Sequence, residues 1–88
     1  MSYRVDLRPS ALRELERLPQ NVQKRIQAKI NNLAVNPLTS GVKKLQDSPL
    51  GVNLYRAKAG DYRIVYQIQQ DVLVVLIVKI GNRRDVYK

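Results

Sequence analysis

Two short segments of this 88-residue chain concentrate the side chains that could do chemistry. Arg56, Lys58 and Arg63 flank a Gly60-Asp61 pair, and Arg83, Arg84, Tyr87 and Lys88 follow Gly81-Asn82 at the carboxyl end. Gly-Asp-type pairs make tight hairpin turns, so Arg56 and Lys58 on one strand face Arg63 on the next. Arg56 and Lys58 are two residues apart and share a face, while Tyr55 and Ala57 point the other way. Arg63 in turn faces away from Tyr62, Ile64 and Tyr66, whose apolar bodies suit a core. Like charges on neighbouring strands cost stability, and a bound anion would offset that cost. The alternative for these residues is an ordinary solvated strand face. A basic tail that returns to the same face would add Arg83, Arg84 and Lys88. Tyr87 would bring a hydroxyl and a ring able to stack on a base.

Composition narrows what such an anion site can be. Sixteen Lys and Arg against seven Asp and Glu give a formal charge of +9 and a sequence pI near 10.3, which favours a polyanion such as nucleic acid as partner. With no cysteine and no histidine, a disulfide scaffold is excluded and a zinc or haem site would lack its usual ligands, so neither metal nor cofactor is expected. The apolar run Val72 to Val78 is far shorter than the roughly 20 residues of a membrane span. Residues 1–6 carry no apolar stretch of a secretory signal, so a cytoplasmic protein is expected.

The elements that must position these residues follow from periodicity. No internal repeat or linker divides the chain, so residues 1–88 read as a single domain. Tyr3 to Leu7 alternates apolar and charged residues as a strand does. Pro9 suits the first turn of a helix in which Ala11, Leu12, Leu15 and Leu18 recur at three- and four-residue spacing. Pro19 opens a second helix with Val22, Ile26, Ile30 and Leu33 on one stripe, ended by Asn36-Pro37. Val52 to Ala59, Tyr62 to Ile68 and Val72 to Ile80 then read as a meander, with a polar turn at Gln69-Gln70-Asp71. The last strand is apolar without alternation and belongs at the centre of the sheet. A short further strand is expected around Asp85-Val86-Tyr87. The fold class is therefore α+β: a two-helix hairpin on one face of a four- to five-stranded, mostly antiparallel sheet.

The segments Tyr55-Arg56-Ala57-Lys58-Ala59-Gly60-Asp61-Tyr62-Arg63-Ile64-Val65-Tyr66 and Gly81-Asn82-Arg83-Arg84-Asp85-Val86-Tyr87 resemble the RelE/ParE superfamily of toxin–antitoxin systems. Ala11-Leu12-Arg13-Glu14-Leu15, Leu18-Pro19, Asn36-Pro37 and Lys44-Leu45 extend the likeness over nearly the whole chain. The basic tail with Tyr87 is more similar to RelE than to ParE. What the resemblance implies is a toxin that cuts messenger RNA in the ribosomal A site, the 2′-hydroxyl attacking the adjacent phosphate. It also implies silencing by a cognate, RelB-like antitoxin. Carried over by position, the catalytic residues are Arg56, Arg63, Arg83 and Tyr87, with Lys58, Arg84 and Lys88 binding RNA. Leu54 departs from the pattern, standing where the family's best-known sites place a lysine.

The implied reaction needs a base for the 2′-oxygen, cations for the five-coordinate phosphate and an acid for the 5′-oxygen. Permanently charged arginines suit the second task and are poor proton shuttles. Tyr87 is then the leading base candidate, provided that neighbouring cations lower its pKa from near 10. Two other readings stay open: a ParE-like toxin acting on DNA gyrase, and a non-catalytic module whose basic face tracks RNA phosphates.

Overall fold

A computed structural model describes residues 2–39, 41–45 and 54–82. In chain order these form β1 (Arg4–Leu7), α1 (Pro9–Glu16), α2 (Gln20–Val35), β2 (Lys43–Lys44), β3 (Leu54–Ala59), β4 (Tyr62–Gln69) and β5 (Val74–Asn82). The strands make one sheet in the order β1-β5-β4-β3-β2. The β2–β3, β3–β4 and β4–β5 pairs are antiparallel, and β1 lies parallel to β5. Two helices on a mixed, mostly antiparallel five-stranded sheet are the expected α+β architecture. Among the described residues no helix is long and apolar enough to cross a membrane.

Each helix starts and stops for a local reason. Pro9 sits in the first turn of α1, where its missing N–H costs nothing. The Gln23 side chain folds back to donate to the carbonyls of Leu18 and Glu16 (2.7 and 3.3 Å), closing the joint around Pro19. Asn36 ends α2 in an extended conformation. Its Oδ1 accepts the Leu38 N–H (3.1 Å), an Asx turn that leads the chain out.

The core lies between the helices and one sheet face. Ala11 and Leu15 of α1 and Ile26, Ile30 and Leu33 of α2 pack on Ala57, Ala59, Ile64, Tyr66, Ile68, Val75, Ile77 and Ile80. The α2 stripe is as its periodicity demands, with Val22 at its margin. In α1 the spacing overreaches: Leu12 is 45 % exposed, because the helix is in register through Ala11 and Leu15 alone. Small Ala57 and Ala59 let α2 approach β3 closely.

Two further expectations change. The strand read as starting at Val72 starts at Val74. Val72 is exposed in a turn that runs to Leu73, whose φ of 54° is strained for a branched apolar residue. The segment after Asn36-Pro37, to which periodicity assigns no strand, contains β2, with Lys43 opposite Arg56 and Lys44 opposite Tyr55. Two lysines carry no alternation, so cross-strand pairing and not local pattern makes this strand. The strand expected around Asp85-Val86-Tyr87 lies outside the described residues.

The apolar run without alternation is explained by position and by a bulge. β5 is an inner strand between β1 and β4. Tyr66 pairs with Ile77 and Val65 with Lys79, so Val78 is an extra residue. Ile77 and Ile80 therefore both reach the core while Lys79 turns to the opposite face.

Tyr66 ties the sheet to the exit from α2. It is fully buried, its hydroxyl donates to the Pro37 carbonyl (2.5 Å), and its ring stacks against Tyr55 at 6.0 Å. Burial, and secondarily Tyr55, pushes its phenol far above the ordinary value of 10.0. A phenol whose pKa is raised by folding stabilises the fold fully below the unfolded value and loses that contribution as pH climbs past it. We expect Tyr66→Phe to cost about 1–2 kcal/mol in urea unfolding at neutral pH, from the orphaned Pro37 carbonyl. The wild-type stability should fall more steeply than the variant's above about pH 10.

Candidate functional site

The site begins at the β3–β4 turn. Gly60 takes a φ of +61°, the left-handed conformation a two-residue hairpin needs. This fixes the register: Lys58 opposite Arg63, Ala57 opposite Ile64, Arg56 opposite Val65. Directly opposed residues share a face, so Arg56, Lys58 and Arg63 are brought together on the side away from the helices, as the alternation requires. Lys58 projects into solvent and Arg56 is half-buried.

Arg63 is the unusual member, at only 8 % exposed. Its Nη1 donates to the carbonyls of Gly60 and Tyr62, both at 3.1 Å. The buried Nε has no hydrogen-bond partner among the described residues. Among the described residues no carboxylate forms an ion pair with this guanidinium, and the ion pair is Arg4–Asp6 at 3.1 Å. A permanently charged group held out of water without a counter-charge costs several kcal/mol unless an anion arrives. The backbone carbonyls hold the fork at Nη1, with Nε buried behind it. An arginine fixed in this way is a candidate anion ligand.

The register adds cations that periodicity alone did not reveal. Lys43 on β2 stands opposite Arg56, and Lys79 on β5 stands opposite Val65, one step from Gly81 opposite Arg63. Lys43 was hidden because β2 has no pattern of its own, and Lys79 because the bulge at Val78 shifts the alternation. Leu54 lies on the same face, opposite Gln67. Arg83, Arg84, Tyr87 and Lys88 lie outside the described residues. β5 nevertheless delivers the chain at Asn82 opposite Tyr62, next to Arg63. Among the described residues no group of three or more His, Cys, Asp or Glu side chains could hold a metal ion.

A two-helix hairpin over one sheet face, with a pinned arginine in a cationic hairpin on the other, is the arrangement of a small basic toxin fold. A family model described as the ParE toxin of type II toxin–antitoxin systems matches residues 5–87, and the chain belongs to that family, part of the RelE/ParE superfamily. Within it the chain is a toxin of the RelE type. It is 30% identical to a RelE-like toxin protein of Escherichia coli, over 99% of this chain and 92% of the relative. It is 28% identical to the mRNA interferase toxin RelE of Escherichia coli strain K12, over 94% and 85% respectively. The archaeal RelE of the RelE–RelB complex from Pyrococcus horikoshii OT3 superposes with a TM-score of 0.81 at 30% identity, covering 98% of this chain and 100% of its own.

Gly60 is the residue on which the site's geometry turns. A Cβ there would meet Arg25 Nη1 at 2.7 Å, a flexible end that can move, but the positive φ cannot be relieved. Gly60→Ala should lower stability by about 1–2 kcal/mol, and Gly60→Asn by less, because asparagine visits this region readily. Paired thermal unfolding curves of the two variants check the order.

Proposed function

We propose that this toxin is a ribosome-dependent endoribonuclease that cuts messenger RNA in the A site and so stops translation. The observation that carries the reading is Arg63: a buried fork, held by the Gly60 and Tyr62 carbonyls, without a carboxylate partner among the described residues, beside Arg56 and Lys58. Relatives named mRNA interferase support it.

In this mechanism Arg56 and Arg63 bind the non-bridging oxygens of the scissile phosphate and gain strength as charge builds on them. Lys58 holds the neighbouring backbone. Arg83 joins the phosphate cluster and Tyr87 takes the proton from the 2′-hydroxyl, roles that come from the family resemblance. Arg84 and Lys88 steer the RNA. The 2′-oxygen bonds to phosphorus, the bond from phosphorus to the 5′-oxygen breaks, the leaving oxygen takes a proton from water, and the products are a 2′,3′-cyclic phosphate and a 5′-hydroxyl. No step draws on a metal or an organic cofactor. Leu54, in place of a lysine, leaves the site one cation poorer at its β3 end and makes Arg56 and Lys58 carry that charge.

We further infer that a RelB-like antitoxin in the cytoplasm silences the toxin, since solved relatives include RelE–RelB complexes. An acidic or amphipathic segment would meet the +9 charge of this chain. The matched family's name favours one rival, a ParE-like attack on DNA gyrase.

Mapping transcript 5′ ends after a brief pulse of expression tests the reading. Cuts in phase with codons are expected, and intact messages with damaged chromosomes would hand the case to the gyrase reading. Tyr87→Phe should lower single-turnover cleavage on programmed ribosomes by about 10²–10⁴-fold while ribosome binding stays within a few-fold. Full cleavage by that variant would remove Tyr87 from its role.

A further inference from the structure

The cations of the helix-free face do not stop at the hairpin. Lys43 pairs with Arg56, Arg56 with Val65, and Val65 with Lys79, so these four lie on one line across β2, β3, β4 and β5. At roughly 4.8 Å per strand, the line is about 14 Å long from Lys43 to Lys79. Beyond Lys79 no further strand follows among the described residues, because β1 ends at Leu7 opposite Ile77. α1 occupies that place. Between it and β5 runs an open groove of about 290 Å³, lined by Ser10, Arg13, Glu14 and Arg17 from the helix side and Val78 and Lys79 from the strand.

Cations line this groove from both walls. Arg13 and Arg17 are four residues apart and share one helix face, where like charges repel. Lys79 faces them from β5. Glu14 lies between the two arginines, yet its Oε1 accepts the Ile80 N–H at 3.1 Å, satisfying the open edge of β5. Among the described residues none of Arg13, Arg17 and Lys79 forms an ion pair. The helix dipole favours basic residues at the end of α1, but it supplies no reason for Lys79 to stand opposite them.

We propose that this groove is a second phosphate site, holding a backbone phosphodiester of the same RNA strand whose neighbouring phosphate is cut at Arg56 and Arg63. The assignment rests on the nuclease reading above. Continuity with Arg56 through Lys79 selects the substrate strand. The lining selects phosphate over peptide: apart from Val78 it is polar or charged, and it lacks the aromatic or aliphatic pocket in which a peptide anchors. Two guanidinium forks and an ammonium suit a phosphodiester and read no base, so the site sets the strand's direction across the sheet without a sequence preference.

The test is cleavage on ribosomes programmed with messages that carry one uncharged methylphosphonate at successive positions beside the cut. Wild-type toxin should show about a tenfold rise in KM at one such position, with kcat retained. Arg13→Gln/Arg17→Gln, both exposed and free to change without unfolding, should show that tenfold rise on the unmodified message and no further loss at the modified position. Lys79→Gln should show the same indifference from the other wall. In binding to a single-stranded RNA oligonucleotide, the salt slope of each variant should fall by about 0.7 for every phosphate that it no longer neutralises.

Equal sensitivity of wild type and variants to the methylphosphonate overturns the assignment. So does weakened binding of the variants to ribosomes that carry no message, which would place the phosphate in ribosomal RNA. Normal cleavage with impaired antitoxin binding would make the groove a protein surface instead. If the wild type leaves unmodified messages whole, the nuclease reading fails and the groove falls with it; if it cuts normally and only the coupling is missing, the groove alone falls.

Discussion

The two-residue turn between β3 and β4 governs everything that the helix-free face can do. Because side chains alternate, slipping this register by one residue would carry Arg56, Lys58 and Arg63 under the helices and turn Ala57, Ile64 and Tyr66 out to water. The same hydrophobic burial that builds the core thus holds three cations together on the other side. Gly60 links the two roles, since its left-handed backbone makes the turn and its carbonyl grips Arg63. Stability and charge placement are set at one residue.

The bulge at Val78 performs a comparable service on the opposite flank of β4. It returns Ile80 to the core after Ile77, turns Lys79 onto the cationic line and presents Val78 to α1. Glu14 then seals the edge of β5 that β1 leaves uncovered. A small sheet with one buried face has little surface to spare. Here Lys43, Arg56, Lys58, Arg63 and Lys79 share the helix-free face with Leu54, Val65 and Gln67, a concentration of positive charge that favours a polyanion.

Much of this could be read from the chain itself. Ile26, Ile30 and Leu33 declare α2 by spacing alone, and the Gly60-Asp61 pair sets the cross-strand partners of Arg56, Lys58 and Arg63 before any coordinates. What escaped was information that is not local. β2 exists because Lys43 and Lys44 find Arg56 and Tyr55, and no pattern within two lysines announces it. The parallel place of β1 beside β5, the extra residue in β5 and the exposure of Leu12 depend on packing between distant segments. Lys43 and Lys79 were invisible for the same reason. The roles of Arg83, Arg84, Tyr87 and Lys88 rest on family resemblance, for these positions lie outside the described residues.

The parallel pairing of β1 with β5 also bears on when the molecule can exist. Arg4 meets Val74 and Leu7 meets Ile77, so the first strand has no sheet to join until a segment some seventy positions later has been made. Closing so long a loop is entropically costly and slow compared with forming helices or hairpins. During synthesis, β1 and α1 must therefore wait beside the emerging chain, and the α1–β5 groove and the full cationic line come into being only once β5 is free of the ribosome. The groove and the cationic line are thus late products of folding, complete only after the last strand has met the first.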